Sequence, residues 1–197
     1  MSKFILASQS PRRKSLLEWA EIPFEVIVSN SDESFPEHLA ISEVPAYIAK
    51  QKALEVANKL LETNRDIQDY CIIAADTIVV LNNEIMGKPL DRAHAIQSLT
   101  KLSGKTHDVI TGVCVLHNHK EVIFAETTKV TFHALSNGQI EYYVDQYKPY
   151  DKAGGYAIQE WIGVVGIKSI EGDFYNVMGL PVSKVVHEIK QLGLLQG

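Results

Sequence analysis

Apolar and polar residues along this chain fall into short periodic blocks, and the blocks dictate its elements. The run Phe4-Ile5-Leu6-Ala7 makes Lys3 to Ala7 a first strand. A helical pattern follows from Pro11 to Ala20, with Leu16, Leu17 and Ala20 apolar. Phe24 to Val28 reads as a short, mostly buried strand, and Ser29 to Pro36 as a polar loop. Glu43 to Glu62 is a long helix. Tyr47, Leu54, Ala57 and Leu61 form one apolar stripe on it. Ile48, Lys52, Val56 and Leu60 form a second line at i,i+4 spacing. Apolar residues on two faces predict a helix sandwiched by its neighbours, with a semi-buried Lys52 that needs an anionic partner.

Tyr70 to Leu81 is a strong strand run, broken in character by Asp76-Thr77. Asn82-Asn83 turns it back into Glu84 to Met86. Gly87-Lys88-Pro89 is a loop, and Asp91 caps a helix running to about Leu102. Thr106 to Leu116 and Val122 to Leu135 are two long strands joined around His117-Asn118-His119-Lys120. That junction reads as a solvent-exposed turn, since no Cys or further His stands at zinc-ligand spacing beyond it. Gln139 to Gln146 is a short helix, Tyr156 to Gly166 is mixed, Glu171-Gly172-Asp173 is a turn, and Val182 to Leu192 is an amphipathic helix. Helices mixed with long hairpin strands predict α/β or α+β with a mixed, partly antiparallel sheet.

At 197 residues the chain can bury a core as one domain or as two lobes sharing a cleft. A formal net charge of −5 argues against a nucleic-acid backbone as partner, so any polyanion site must be a local basic pocket. Cys71 and Cys114 both lie in apolar runs and read as buried free thiols. No apolar run approaches membrane-spanning length, and the first residues lack a signal-peptide pattern. The expectation is a cytoplasmic protein with no membrane partner.

Candidate chemistry starts at Ser8-Gln9-Ser10-Pro11-Arg12-Arg13. Ser10 suits a helix N-cap and Pro11 the first helical position. Arg12 and Arg13 then stand at the positive end of the helix, where a bound anion such as phosphate would offset their repulsion. Asp76 interrupts an apolar strand, where a carboxylate needs a partner or a task, such as holding a cation or activating water. Asp32-Glu33 supplies a second carboxylate site, and Lys88 a cation on a restricted loop. Asp151 to Gln159 places Gly154 and Gly155 where backbone could approach a ligand closely. Cations for phosphates plus carboxylates for a divalent ion are the minimum kit for phosphoryl chemistry. Neither a Walker-type loop nor a GxGxxG after a strand is present.

These pieces, in this order, resemble the Maf family of nucleoside triphosphate pyrophosphatases. The matching stretches are Leu6 to Arg13, Ser31-Asp32-Glu33, Ala49 to Ala53, Ala74 to Val79, Gly87-Lys88-Pro89, Ser103-Gly104 to Val113, Asp151 to Gln159 and Asn176 to Pro181. The resemblance covers the whole chain, 1–197, taken as a single Maf-like domain. It implies an α/β fold like that of the inosine triphosphate pyrophosphatases: a mixed, elongated central sheet flanked by helices, with two lobes around a cleft. It implies hydrolysis between the α- and β-phosphates, dependence on Mg²⁺ or Mn²⁺, and a homodimer. Carried over by position, Asp76 would activate water and Glu33 would help Asp76 hold the metal. Ser8, Arg12, Arg13, Lys52 and Lys88 would contact the triphosphate. Arg12, Thr77 and Gln159 look like the subgroup acting on dTTP and UTP, including modified uridine triphosphates. The Gln159 amide, able to donate and accept at once, could read a pyrimidine edge. Glu160-Trp161 stands where many members have Gly. Two other readings stay open: a nucleotide-binding regulator of cell division that does not hydrolyse, and a nucleotidyltransferase with an acceptor other than water.

Overall fold

The computed structural model describes residues 3–30 and 32–195; Ser31, at the head of the Ser31-Asp32-Glu33 stretch, lies outside the described residues. In chain order the elements are β1 (Lys3–Leu6), α1 (Pro11–Trp19), β2 (Phe24–Val26), α2 (Val44–Glu62), β3 (Tyr70–Leu81), β4 (Glu84–Met86), α3 (Arg92–Leu102) and β5 (Thr106–His117). They continue with β6 (Lys120–Phe132), α4 (Asn137–Tyr147), α5 (Trp161–Gly166), β7 (Ile167–Glu171), α6 (Phe174–Met178) and α7 (Val182–Gln191). The strands make one mixed sheet in the order β2-β1-β3-β5-β6-β7, with β4 beside β3. β1 runs parallel to β2 and β3, while β4 and β7 run antiparallel to β3 and β6. This is the α/β class that the family resemblance implies, with the mixed, partly antiparallel sheet that the sequence pattern predicts.

The chain forms two compact units. The first takes the described residues up to Asp76, then Thr111–Glu126, then those from Gly179 onward. Its parallel register sets Phe4 opposite Cys71 and Leu6 opposite Ile73. Parallel strands are covered on both faces, which explains why β1 and the start of β3 read as unbroken apolar runs. Ile5, Ala7, Ile72, Ala74, Cys114 and Leu116 pack against Ala49, Ala53, Val56, Ala57 and Leu60 of α2. The alanines on α2 let helix and strands approach closely. Gly112 on β5 serves the same end, since a Cβ there would fall 2.0 Å from the Ala46 nitrogen.

Three expectations for this unit change. Only one face of α2 is buried, with Ile48, Ala49, Ala53, Val56, Ala57 and Leu60 inside. Leu54 and Leu61 face water at 37% and 56% exposure, so the helix is not sandwiched. Periodicity finds two lines of apolar residues but does not say which one meets a sheet, and isolated surface leucines are common. His117 is buried, not part of an exposed turn. Its Nδ1–H donates to the Tyr70 carbonyl at 2.8 Å, and only Asn118-His119 form the tip. β2 stops at Val26. Both cysteines are free and buried, as expected, and desolvation pushes each thiol up to about 12.

The second unit comprises Thr77–Ile110 and Thr127–Met178. β4 returns along β3 through Asn82 and Asn83, both at positive φ (51° and 64°), as a tight hairpin turn requires. Asp91 caps α3 by accepting from the His94 N–H at 2.8 Å. α3 packs along α4, and Arg92 forks onto Asp145 at 2.6 and 2.9 Å. β7 and α6 are absent from the sequence reading. β7 is short and largely polar, and its ladder with β6 shifts register between Thr131 and Phe132. Such a shift hides the two-residue period that would reveal a strand. No helix of the described residues is long and apolar enough to cross a membrane.

Candidate active site

In the first unit, β1 ends in a turn that feeds α1. Ser10 caps the helix by accepting from the Arg13 N–H at 3.4 Å, and Pro11 takes the first position. Arg12 and Arg13 therefore stand in the first turn, as expected. Ser8 is buried. Its Oγ accepts from the Ser10 N–H at 3.2 Å and from Arg13 Nη1 at 3.0 Å. Arg13 Nε donates to the Gly179 carbonyl at 2.7 Å. The guanidinium is thus held at two points by groups far apart in sequence. Desolvation lowers its pKa; Asp76 pulls it back up, Arg12 lowers it further, and Glu33 raises it. An arginine so placed stays charged, and the field of two nearby carboxylates helps offset its burial.

Asp76 lies on β3 in step with Tyr70, Ile72 and Ala74, the side chains that pack with α2. That parity turns its carboxylate toward the helix carrying Lys52. Lys52 Nζ donates to Asp76 Oδ1 at 2.7 Å and to Glu33 Oε1 at 2.9 Å. The Lys52 and Asp76 side chains are 12% and 11% exposed, whereas Glu33 is 47% exposed. The expectation that a semi-buried Lys52 needs an anionic partner is met twice over. Removing either buried partner would leave an uncompensated charge, which typically costs about 3–5 kcal/mol.

The loop bearing Glu33 is pinned upstream by a residue that motif reading misses. Glu55, three positions after Lys52 on α2, accepts from Ser29 Oγ and from the Asn30 N–H, the latter at 3.1 Å. Lys59 closes the cluster, with its Nζ 2.9 Å from Glu55 and 2.8 Å from the Val28 carbonyl. Desolvation would raise the Glu55 pKa, but bonds from Ser29, Lys59 and the Asn30 N–H take it down to about 2. The available signal was the spacing Lys52, Glu55, Lys59 along one helical line.

Thr77, Lys88 and Gln159 belong to the second unit. Thr77 follows Asp76 on β3 and is half-buried. Lys88 is exposed in the loop after β4. That loop is tied to the Ala153–Gly155 turn, because the Gly154 N–H donates to the Gly87 carbonyl at 3.2 Å. Gly154 has a φ of +68°, and a Cβ on it would meet Val79 at 3.0 Å. Val79 and Pro89 fill the space beside Gly154 and Gly155, so these glycines serve close packing within the protein, not the approach of a ligand. Gln159 is exposed at the end of a buried stretch. Among the described residues no group of three or more His, Cys, Asp or Glu could hold a metal.

The sequence matches the family profile described as Maf-like protein over residues 3–192. The chain belongs to the Maf family. Its Maf relatives include a protein of Cytophaga hutchinsonii named dTTP/UTP pyrophosphatase, 50% identical over 188 residues, covering 95% of this chain and 83% of that one. A protein of the same name from Parabacteroides distasonis is 48% identical over 189 residues, covering 95% of each chain. Another, from Porphyromonas gingivalis, is 45% identical over 192 residues, covering 97% of this chain and 94% of that one.

Proposed function

We propose that this Maf-family chain hydrolyses pyrimidine nucleoside triphosphates, dTTP and UTP, to the monophosphate and pyrophosphate, with modified uridine triphosphates as further candidates. The observation that carries the reading is Lys52 bridging Asp76 and Glu33, with the half-buried Arg13 in the field of both carboxylates. Three relatives named dTTP/UTP pyrophosphatase, matched over nearly the whole chain, support the substrate class.

A divalent ion, Mg²⁺ or Mn²⁺, fits the donor set. Lys52 takes one oxygen of each carboxylate, so Asp76 and Glu33 already converge on a single cation. Mg²⁺ favours oxygen donors and commonly uses one or two carboxylates, completing its shell with substrate phosphates and water. Glu33 and Asp76 would hold it, and when bound it would polarise a phosphoryl oxygen as a Lewis acid.

The chain's own residues do the rest. Asp76 takes the proton of the water that attacks the α-phosphorus in line, as the bond from that phosphorus to the bridging oxygen breaks and pyrophosphate leaves. Lys52 fixes the Asp76 carboxylate through one oxygen. Ser8 and the Gly179 carbonyl hold the Arg13 fork in place before substrate arrives, and such preorganised cations stabilise charge growing on the leaving group. Arg12 and Lys88 add positive charge for the triphosphate. Gln159, Thr77 and Arg12 select the base. A homodimer completes the reading, on the strength of the family resemblance.

The test is a panel of ribo- and deoxyribonucleoside triphosphates with Mg²⁺ or Mn²⁺, separating monophosphate plus pyrophosphate from diphosphate plus phosphate. Pyrophosphate release confined to dTTP and UTP is the expected result. Release from other nucleotides instead would keep the reaction and overturn the specificity. Tight binding without turnover would replace the enzyme with a sensor.

A further inference from the structure

Gln159 sits at a corner that the protein closes twice. Residues 157–160 form a turn in which the Glu160 N–H donates to the Ala157 carbonyl at 3.1 Å. The Tyr143 hydroxyl bridges the same two residues from outside. It accepts from the Ala157 N–H at 3.1 Å and donates to the Glu160 carboxylate. Tyr143 comes from α4 and is fully buried, so this hydroxyl is a fixed point. Glu160 is held again by Lys152 Nζ at 3.5 Å, itself bonded to Asp151 at 2.8 Å. Just upstream, the Tyr156 hydroxyl lies 2.7 Å from His107 Nε2. Residues 154–158 are buried, and Gln159 is the first exposed side chain after them.

We propose that Tyr143 and Glu160 are positioning residues for Gln159, and that they set how sharply the enzyme separates uracil from cytosine nucleotides. The proposal rests on the reading of Gln159 as the base-selecting side chain. A carboxamide both donates and accepts. Uracil and cytosine present opposite donor and acceptor patterns at the ring positions that distinguish them. A carboxamide on a loose turn can re-register to serve either pattern, whereas one on a clamped turn serves only one. Glu160 supplies the carboxylate end of the clamp.

The test compares kcat/KM for UTP and CTP in wild type, Y143F, E160A, E160Q and Q159A, with urea midpoints to confirm folding. Y143F and E160A are expected to lower the UTP-to-CTP ratio by about three- to tenfold, the range expected for one hydrogen bond lost between Gln159 and the base. The loss should fall mainly on KM for UTP. E160Q keeps an acceptor for the Tyr143 hydroxyl and should retain most of the ratio. The Y143F/Q159A double variant should discriminate no worse than Q159A, because Tyr143 acts through Gln159. If Q159A lowers the ratio while folded Y143F and E160A leave it at the wild-type value, positioning is overturned and the role of Gln159 stands. If Q159A leaves the ratio unchanged, the role of Gln159 falls and the clamp falls with it. Should Y143F fail to fold, the contrast between E160A and E160Q decides the matter.

Discussion

Replacing His107 by Phe tests whether the second unit contains a histidine that folding keeps neutral. The ring is 2% exposed on β5 and stacks on Phe132 at 5.6 Å, with Tyr156 edge-on to both rings at 5.5 and 5.1 Å. Its Nε2 meets the Tyr156 hydroxyl, and its Nδ1 has no hydrogen-bond partner among the described residues. Burial lowers its pKa from the ordinary 6.5 to about 4. In the unfolded chain the imidazole takes a proton near its ordinary value, so between those two pH values the unfolded state binds one proton more. Native stability therefore falls as pH drops through that window. At 1.36 kcal/mol per pH unit the loss from this one group is about 3 kcal/mol by pH 4. The Phe variant is spared this loss and keeps the apolar stacking. At neutral pH it gives up one hydrogen bond, worth about 1 kcal/mol. Urea unfolding of both proteins from pH 7.5 to pH 4 measures the difference directly. The variant should start slightly less stable and finish more stable. A wild-type-minus-variant difference that does not move with pH would refute the reasoning. The H107F/Y156F double variant removes both polar groups and should restore the neutral-pH stability that the single variant loses.

Three further outcomes are expected. D76N should cut pyrophosphate release by about 10³-fold or more in a protein that still folds, with a lowered urea midpoint because Lys52 loses a buried counter-charge, and retained turnover would remove Asp76 as the base. R13K cannot serve both the Ser8 hydroxyl and the Gly179 carbonyl with a planar fork, so KM for UTP should rise about tenfold; an unchanged KM counts against the phosphate role. Glu55 contributes stability that is fully present above the ordinary carboxylate range and lost as pH falls toward about 2. The E55Q variant should therefore unfold with a flatter pH dependence between about pH 4.5 and pH 2, and slopes equal to wild type would dismiss the clamp on residues 28–30.

Local chemistry made much of this protein legible. Ser10 and Pro11 announced the start of α1, Asp91 that of α3, and Asn82-Asn83 the β3–β4 hairpin, because caps and turns depend on neighbours within a few residues. Lys52 and Asp76 were conspicuous because charge is expensive inside an apolar pattern, and each proved to be the other's partner. What stayed hidden depends on partners distant in sequence. Gly179 serves Arg13 from 166 positions away, and Tyr143 reaches Glu160 across 17. β7 borrows its order from β6 and carries no pattern of its own. The exposed line of α2 looked as apolar as the buried one, since leucine occurs on both.

The parity of β3 limits how this protein can change over time. Tyr70, Ile72, Ala74 and Asp76 share the side of the strand that meets α2. Inserting or deleting a single residue between Tyr70 and Ala75 would reverse that side, and Lys52 would then face the Ala75 methyl or the Thr77 hydroxyl in place of a carboxylate. The apolar positions of the strand can trade one aliphatic side chain for another of similar volume at modest cost. Its length from Tyr70 to Asp76 cannot change by one residue without turning the carboxylate away from Lys52. Substitution is therefore the cheaper kind of change in this half of β3, and changes of length are cheaper in the loops.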